Sequence, residues 1–319
     1  MTHARLSTER IAAAARQIDP VFTRTPQFEV EALGRELGFR LVCKVETLNP
    51  VRSFKGRGAD FFVRGLPPGE PLVCASAGNF GQALAWAARR RAIPVTVFAA
   101  ESASPLKIAQ MRALGADVRL WGADLDEAKD RARLFASEAG HRFVEDGREA
   151  AVSEGAGTIA LELCRWPEPL DTVLVPLGNG ALLAGIGTWM RQASPATRIV
   201  GVCAAEAPAM ERSWRLGRPV TTETAHTIAD GIAVRVPVPE ALDDLRGVVD
   251  DILLVGEDDL RHASRAALDT LGIVVEPAGA AALAAAFAFR GRFRDQLVAL
   301  PLCGGNIDLT QRHRGTEKS

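Results

Sequence analysis

A lysine in a run of small and aromatic residues is the first place where this sequence indicates chemistry. Lys55 stands in the segment 53–58 (SFKGRG), just after a turn at 48–50. Burial disfavours the charged ammonium form, so a lysine held away from water can react as a neutral amine and condense with an aldehyde. Most lysines near a helix start are solvated and inert. The hexapeptide alone leaves both interpretations open.

Three other segments contain the small residues of tight turns, and each follows an apolar run that predicts a buried strand. They are 76–82 (SAGNFGQ), 176–182 (PLGNGAL) and 302–306 (LCGGN). The second precedes a predicted helix, so its free backbone N–H groups can bind a phosphate. Together with Lys55, the three turns supply the parts that a pyridoxal phosphate site needs.

A nucleotide-binding protein is a poorer interpretation of the same glycines. Segment 176–182 lacks the last glycine of the G-x-G-x-x-G pattern, because Ala181 and Leu182 follow Gly180. In addition, no acidic residue stands in a following strand at the distance that a ribose hydroxyl requires.

The composition is that of an ordinary globular chain. Its 319 residues are 47% hydrophobic and 24% charged, which suits two domains or one large one. A net charge of −1, with dispersed lysine and arginine, predicts no nucleic-acid partner. The five cysteines form no C-x-x-C pair and predict reduced thiols in the cytoplasm. The longest apolar stretch, 277–289, is too short to span a membrane.

Short apolar runs alternate with helical segments along most of the chain. Strands are predicted at 41–46, 72–75, 95–99, 117–121, 142–145, 172–175, 198–203, 252–255 and 297–300. The alternation predicts mostly parallel strands, and hence an α/β fold of two three-layer α/β/α domains. A large discontinuous domain (1–48 and 149–319) would bind the cofactor, and 49–148 would form a small domain. Because the turns follow strand ends, the ligand should lie in the cleft between the domains.

The four segments, in this order and spacing, resemble the fold-type II family of pyridoxal-phosphate enzymes. The similarity extends from Asp19 to Asn306 and points to the serine/threonine dehydratase (ammonia-lyase) branch. It implies a tryptophan synthase β-like fold, pyridoxal 5'-phosphate as cofactor, a homodimer and a role in amino-acid metabolism.

The resemblance also implies roles for individual residues. Lys55 would bind the aldehyde of the cofactor and later take the α-proton of the substrate as general base. Asn79 would bond the pyridine hydroxyl and Cys303 would face the pyridine nitrogen. Further cofactor contacts are implied for Phe54, Gly178, Asn179, Gly180, Ala181, Leu182, Gly231, Glu276 and Gly304. The substrate-binding loop is implied to comprise Ser76, Ala77, Gly78, Asn79 and Phe80.

Two of these residues also have an ordinary structural interpretation. A thiol is a weak hydrogen-bond partner and cannot hold a pyridinium, so Cys303 would favour loss of a β-substituent over transamination. Without the glycines beside it, Cys303 would be interpreted as a packed core residue. Glu276 is equally consistent with a carboxylate at a helix start.

The chain departs from the family pattern at several positions. Phe80 stands where many relatives have histidine, and it makes that wall apolar. Cys203 and Ala209 stand where serine racemases have carboxylates, so we predict no activating metal. Ala77 replaces a serine hydroxyl of the racemases, so we expect elimination without efficient racemisation. Because the four segments contain no histidine, we expect the cofactor phosphate to protonate the leaving hydroxide.

These observations predict a pyridoxal-phosphate-dependent α,β-elimination, which deaminates a β-hydroxy amino acid such as L-threonine or L-serine to a 2-oxo acid and ammonia. Two alternatives stay open: a β- or γ-replacement reaction as in threonine synthase, and a non-catalytic cofactor-binding protein, against which Lys55 argues. The sequence does not name the substrate side chain, because specificity depends on a few cleft residues and on loop closure.

Overall fold

The computed structural model describes residues 5–76 and 78–307, which contain twelve α-helices and ten β-strands. The helices are α1 (Thr8–Gln17), α2 (Glu31–Leu37), α3 (Lys55–Arg64), α4 (Asn79–Arg89), α5 (Pro105–Ala113), α6 (Leu125–Ala139), α7 (Ala150–Leu163), α8 (Ala181–Ala193), α9 (Ala209–Leu216), α10 (Pro239–Leu245), α11 (Glu257–Leu271) and α12 (Pro277–Ala288). The strands are β1 (Gln27–Glu29), β2 (Arg40–Val45), β3 (Leu72–Ala75), β4 (Val95–Ala99), β5 (Asp117–Leu120), β6 (Arg142–Phe143), β7 (Thr172–Pro176), β8 (Arg198–Ala204), β9 (Asp251–Val255) and β10 (Leu297–Leu302).

The strands form two separate sheets. The larger has six strands in the order β1-β2-β10-β7-β8-β9, and only β1 runs antiparallel to its neighbour. The smaller has four parallel strands in the order β5-β4-β3-β6. Parallel neighbours cannot be joined by tight hairpins, so helices cross between them. The predicted α/β fold with mostly parallel sheets is confirmed.

The two sheets use different parts of the sequence. The larger sheet takes its strands from 27–45 and 172–302, and the smaller sheet takes its strands from 72–143. Each sheet therefore falls within one of the two predicted domains. Helices α3 and α7, which lie next to the predicted boundaries, pack against each other. The division at residues 48 and 149 stays a prediction.

The central strands of each sheet are buried on both faces, and alternate residues of a strand point to opposite faces. In β2, Val42 shares a core with α7 and α8, whereas Leu41 and Cys43 share a core with α11 and α12. In β3, Leu72 packs with α4 and Val73 packs with α6. Burying one Val or Leu side chain in this way contributes about 1.5–3 kcal/mol. Burial on both faces explains the continuous apolar runs and the helical layer on each side of a sheet.

Several short elements were not predicted from the sequence. Strand β1 and the seven-residue helices α2 and α10 are among them, and the residues before the two helices, Val30 and Val238, provide no side-chain cap. Strand β6, which was predicted to reach residue 145, ends at Phe143. Asp146 therefore lies in the turn beyond the sheet edge. None of the described helices is both long enough and apolar enough to cross a membrane.

Candidate active site

A cleft lies where the C-terminal ends of strands from both sheets meet. It is bordered by residues that follow β3, β7 and β10, as expected for parallel strands. It encloses about 830 Å³, part of which is open to solvent. The predicted site residues that line it are Phe54, Lys55, Ser76, Gly78, Asn79, Phe80, Gly178, Asn179, Gly180, Ala181, Leu182, Gly231, Glu276, Cys303 and Gly304. The remaining predicted residue, Ala77, lies outside the described residues.

Lys55 is the first residue of α3, and the segment before it is tied to the chain just after β10. The N–H of Phe54 donates to the carbonyl oxygen of Cys303 at 3.0 Å. The N–H of Gly305 donates in return to the carbonyl oxygen of Arg52 at 2.9 Å. These two bonds hold the backbone of Lys55 beside the Cys303 end of the cleft.

The amine of Lys55 faces an acidic partner that the sequence did not indicate. Its Nζ lies 2.6 Å from Asp146 Oδ2, and the two side chains are only 14% and 11% exposed. The amine also lies 4.6 Å from the centroid of the Phe54 ring and 6.0 Å from that of Phe80. Lys55 is therefore largely buried, as predicted, but it is ion-paired and not surrounded by apolar groups alone.

The turn at 178–180 forms a cradle at the start of α8. Gly180 has a φ of +94°, a conformation that favours glycine, and a Cβ on Gly178 would lie 2.9 Å from the Gly231 carbonyl oxygen. The N–H of Ala184 bonds to Gly180, whereas those of residues 181–183 have no backbone acceptor in the described part of the chain. The first turn of α8 contains no acidic residue. The cradle therefore fits a phosphate group.

Asn79, the first residue of α4, is held by hydrogen bonds on both sides of its amide. Its Nδ2 donates to Glu276 Oε1, and its Oδ1 accepts from Asn306 Nδ2 at 2.9 Å. Glu276 pairs in turn with Lys107 Nζ at 3.1 Å, and Lys107 also lies 2.5 Å from Asp230. The amide is thus fixed in one orientation, with one Nδ2 hydrogen left for a ligand in the cleft.

Glu276 and Lys107 form a buried ion pair beside the cleft. Burial raises the pKa of Glu276 above its ordinary value, although Lys107 opposes the change. Burial lowers the pKa of Lys107, but the carboxylates of Glu276 and Asp230 outweigh this effect, so the net shift is upward. Glu276 precedes α12, yet its side chain makes no capping bond there. This geometry favours a role in the cleft over a role at the helix start.

Cys303 follows β10 and is 4% exposed. Burial raises the pKa of its thiol well above the ordinary value, and the nearby charge of Glu46 acts in the same direction. Its Sγ donates to the carbonyl oxygen of Pro301 at 3.4 Å. Cys303 is therefore a neutral thiol on the wall of the cleft. It can offer a pyridine nitrogen only a weak hydrogen bond.

The loop before α4 offers donors to an anionic group. Ser76 Oγ accepts hydrogen bonds from the N–H groups of Gly78 (3.1 Å) and Gly81 (2.9 Å), which leaves its own hydrogen for a ligand. The first turn of α4 contains no acidic residue. Both the hydroxyl and the helix N-terminus therefore favour a carboxylate at this position.

Three charged residues of the cleft were missed by the sequence analysis. Asp146 follows β6, so the rule that ligands bind beyond strand ends would have identified it. Asp230 precedes Gly231, which was predicted. Lys107 lies inside α5 and no local pattern marks it, but its side chain passes where a Cβ on Gly78 would stand. The other lining residues that were not predicted are Ala75, Leu125, Pro176, Ile232, Ala278 and Gly279.

Known proteins similar to this chain were found by sequence and by structure. The family model described as "Pyridoxal-phosphate dependent enzyme" matches residues 18–304. An L-threonine ammonia-lyase from Geobacter sulfurreducens is 36% identical over 289 residues, which cover 90% of this chain and 72% of that protein. A solved T.th. threonine deaminase is 35% identical, with a TM-score of 0.89 over 95% of this chain and 99% of that chain. A maize serine racemase structure is 25% identical, with a TM-score of 0.90 over 98% of each chain.

The cleft offers one group to each functional group of pyridoxal phosphate. The Lys55 amine can bind the aldehyde, and the backbone N–H groups of residues 181–183 can bind the phosphate. The Asn79 amide can bond to the ring hydroxyl, and the neutral Cys303 thiol can face the pyridine nitrogen. The family match extends from before Lys55 to Gly304, so it includes every segment that forms the cleft. The predicted fold and cofactor are confirmed, and this chain belongs to the pyridoxal-phosphate dependent enzyme family.

Proposed function

We propose that this protein deaminates a β-hydroxy amino acid, with L-threonine as the first candidate and L-serine as the second, to a 2-oxo acid and ammonia. The observation that carries the proposal is the placement of the largely buried Lys55 amine in the same cleft as the phosphate cradle. The names of two relatives, an L-threonine ammonia-lyase and a threonine deaminase, support this choice of substrate.

The described residues divide naturally into cofactor-binding and substrate-binding groups. Lys55 would hold the cofactor by its aldehyde, the N–H groups of residues 181–183 by its phosphate, and Asn79 by its ring hydroxyl. When bound, the cofactor supplies an electron sink for the bond that breaks at the α-carbon of the substrate. Ser76 and the start of α4 would bind the substrate carboxylate, which leaves the amine and the β-carbon to face Lys55.

Lys55 then acts as the general base that takes the α-proton. The neutral Cys303 thiol would offer the pyridine nitrogen of the cofactor only a weak hydrogen bond, so the ring would draw negative charge less strongly. This favours prompt departure of the β-hydroxyl over transamination. Phe80 gives the substrate-facing wall an apolar ring, which suits the methyl group of threonine.

The test is a panel of 3-hydroxy amino acids assayed for release of 2-oxo acid and ammonia by the purified holoenzyme. We expect 2-oxobutyrate from L-threonine and pyruvate from L-serine, with the higher kcat/KM for threonine. Product formation only in the presence of an added nucleophile would indicate a replacement reaction instead. No product from any member of the panel would contradict the proposal.

We further propose that elimination proceeds without efficient racemisation. The support is the sequence at Ala77, where the resemblance places a serine hydroxyl in serine racemases. A methyl group can neither donate nor accept the second proton that racemisation needs. Chiral chromatography of L-serine incubated with the enzyme should show pyruvate and little D-serine. D-serine that appears as fast as pyruvate would refute this part of the proposal.

A homodimer in the cytoplasm is also part of the proposal. The family resemblance supports the dimer, and five free cysteines suit a reducing compartment. Light scattering during gel filtration should give a mass close to twice the 34.0 kDa of the chain. A monomer at micromolar concentration would contradict the assignment of a dimer.

A further inference from the structure

The Lys55–Asp146 pair indicates which group acts as the acid of the reaction, an inference that rests on the proposed function and extends it. Elimination of a hydroxyl group needs an acid as well as a base, because hydroxide is a poor leaving group. We propose that Asp146, in place of the cofactor phosphate expected from the sequence, is this acid: it protonates the β-oxygen as the Cβ–O bond breaks, while Lys55 takes the α-proton. Its carboxylate is 2.6 Å from the proposed base and lines the same cleft.

The other ionisable groups of the cleft already form ion pairs or hydrogen bonds within the protein. Lys107 is paired with Glu276 and Asp230, and the Cys303 thiol donates to a backbone carbonyl. No histidine lines the cleft among residues 5–76 and 78–307, and the sequence contains no tyrosine. Two carboxylate oxygens of the cleft are buried without a hydrogen-bond partner in the described part of the chain, Glu276 Oε2 and Asp146 Oδ1. Glu276 Oε2 still forms an ion pair with Lys107 at 3.1 Å, whereas the ion pair of Asp146 with Lys55 is made by its other oxygen, Oδ2. Asp146 thus has an oxygen available to a substrate.

The backbone beside Asp146 packs against the phosphate cradle. Gly147 has a φ of +86°, and a Cβ on it would overlap the carbonyl oxygen of Asn179. The preceding carboxylate, Glu145, is bonded away from the cleft to Arg133 at 2.9 Å. The turn therefore packs against the cradle and directs only one of two adjacent acids at Lys55.

Lys55 and Asp146 together can supply and accept every proton that the step needs. The step starts with the shared proton on Asp146 and with Lys55 as the neutral amine. Lys55 takes the α-proton, the C–H electron pair becomes the Cα=Cβ double bond, and Asp146 gives its proton to the departing oxygen, which leaves as water. The pair ends as ammonium and carboxylate. A proton shift across 2.6 Å restores the starting state.

The test compares two substrates that yield the same product, pyruvate. L-Serine must lose a hydroxyl group, which needs an acid, whereas β-chloro-L-alanine loses chloride, which does not. In Asp146→Asn, kcat/KM for L-serine should fall by about 10²–10⁴-fold, the usual contribution of a general acid. The value for β-chloro-L-alanine should stay within about threefold, because Lys55 still removes the α-proton.

Two outcomes would overturn the proposal. If kcat/KM of Asp146→Asn fell equally for both substrates, Asp146 would only position Lys55. If kcat/KM for L-serine did not fall, another group, such as the cofactor phosphate, would be the acid. Glu145→Gln neutralises the adjacent carboxylate and should leave the ratio of the two substrates unchanged. Asp146→Ser gives the same comparison if the asparagine variant fails to fold. Wild-type enzyme that forms pyruvate from neither substrate would contradict the proposed function itself, not the role of Asp146.

A spectroscopic measurement tests the protonated carboxyl without turnover. L-Alanine has no β-leaving group, so the holoenzyme can bind it without elimination. Difference infrared spectra on its addition should show the carbonyl stretch of a protonated carboxylic acid in the wild type. The band should be missing in Asp146→Asn and present in Glu145→Gln. The same band in all three proteins would show that Asp146 does not hold the proton.

Discussion

Lys55 and Arg57 stand two residues apart on α3, yet they lie in opposite environments. Successive residues of a helix are about 100° apart around its axis, so the two side chains leave on nearly opposite sides. Lys55 borders the cleft, whereas Arg57 is fully buried between β2 and α7. Its guanidinium bonds to the carboxylates of Glu46 and Glu162 and to two threonine hydroxyls at 2.7–3.1 Å.

The difference lies in how completely each charge is satisfied. The Arg57 cluster has its donors and acceptors filled from the protein, so it fixes α3 in place and has nothing to offer a ligand. The Lys55 pair leaves Asp146 Oδ1 buried without a hydrogen-bond partner among the described residues. Such atoms are rare in folded proteins and call for an explanation. Asp146 Oδ1 lies in the cleft beside the Lys55 amine, so we interpret the two groups as a reactive pair, in contrast to the positioning cluster around Arg57.

The largest expected effect is that of Lys55→Ala on catalysis. The variant loses both the amine that holds the cofactor and the general base, so kcat/KM for L-threonine should fall by at least about 10⁴-fold. The thermal stability of Lys55→Ala should fall less than that of Arg57→Met. Lys129→Ala, whose side chain lies outside the cleft, is the matched control and should keep its activity. Substantial deamination by Lys55→Ala would show that the reaction does not need the Lys55 amine.

The second prediction concerns the positioning cluster, in which Arg57 is bonded to Glu46 and Glu162. Arg57→Met leaves the buried Glu46 carboxylate without the guanidinium that pairs with it, while Glu162 keeps Lys44, so the free energy of unfolding should fall by about 3–5 kcal/mol. Denaturant titration measures the loss. Well below its Tm the variant should keep more activity than Lys55→Ala, because it keeps the reactive amine. A loss of stability below about 1 kcal/mol would show that the cluster does not hold α3.

The third prediction is an acid dependence of stability that arises from Glu162. Burial raises the pKa of Glu162, but its bonds to Arg57 and the charge of Lys44 outweigh burial and lower it to about 2. Between its ordinary pKa of 4.5 and this value, the unfolded chain binds a proton that the folded chain does not. Stability from this group is therefore complete above pH 4.5 and is lost as the pH falls towards 2.

Denaturation in urea at a series of pH values checks this dependence. The slope of unfolding free energy against pH between 4.5 and 2 should be shallower in Glu162→Gln than in the wild type. Parallel slopes in the two proteins would mean that Glu162 is not held ionised by its partners.

The smallest expected effect is that of Glu276→Gln on cofactor binding. The amide keeps an acceptor for Asn79, and Lys107 keeps its bond to Asp230. We expect about a tenfold weaker affinity for pyridoxal phosphate, which corresponds to the loss of one charge-assisted hydrogen bond. Equilibrium dialysis gives the affinity, with the fully exposed Asp258→Asn as control. An unchanged affinity would show that the orientation of Asn79 does not depend on the charge.

The sequence predicts the fold and part of the cleft for a physical reason. Parallel strands buried on both faces appear as apolar runs, and the C-terminal ends of neighbouring strands meet, so the turns at 176–182 and 302–306 had to converge. The turn at 76–82 follows β3 of the other sheet, and the family resemblance implied its place in the cleft. Lys107 was not predictable, because its reach depends on the missing Cβ of Gly78, a contact across two elements. Asp146 follows the predicted strand 142–145 directly, so the strand-end rule pointed to it, but no motif in the sequence marked it.

The most direct test of the account is the location of the cofactor on the chain. The sequence contains five lysines, of which Lys55 and Lys107 line the cleft. Reduction of the holoenzyme with borohydride, followed by peptide mass mapping, fixes the cofactor on the lysine that binds it. We predict modification of Lys55 alone, with Lys107 unmodified and still paired with Glu276. Modification of Lys107, of another lysine or of none would contradict the site described here.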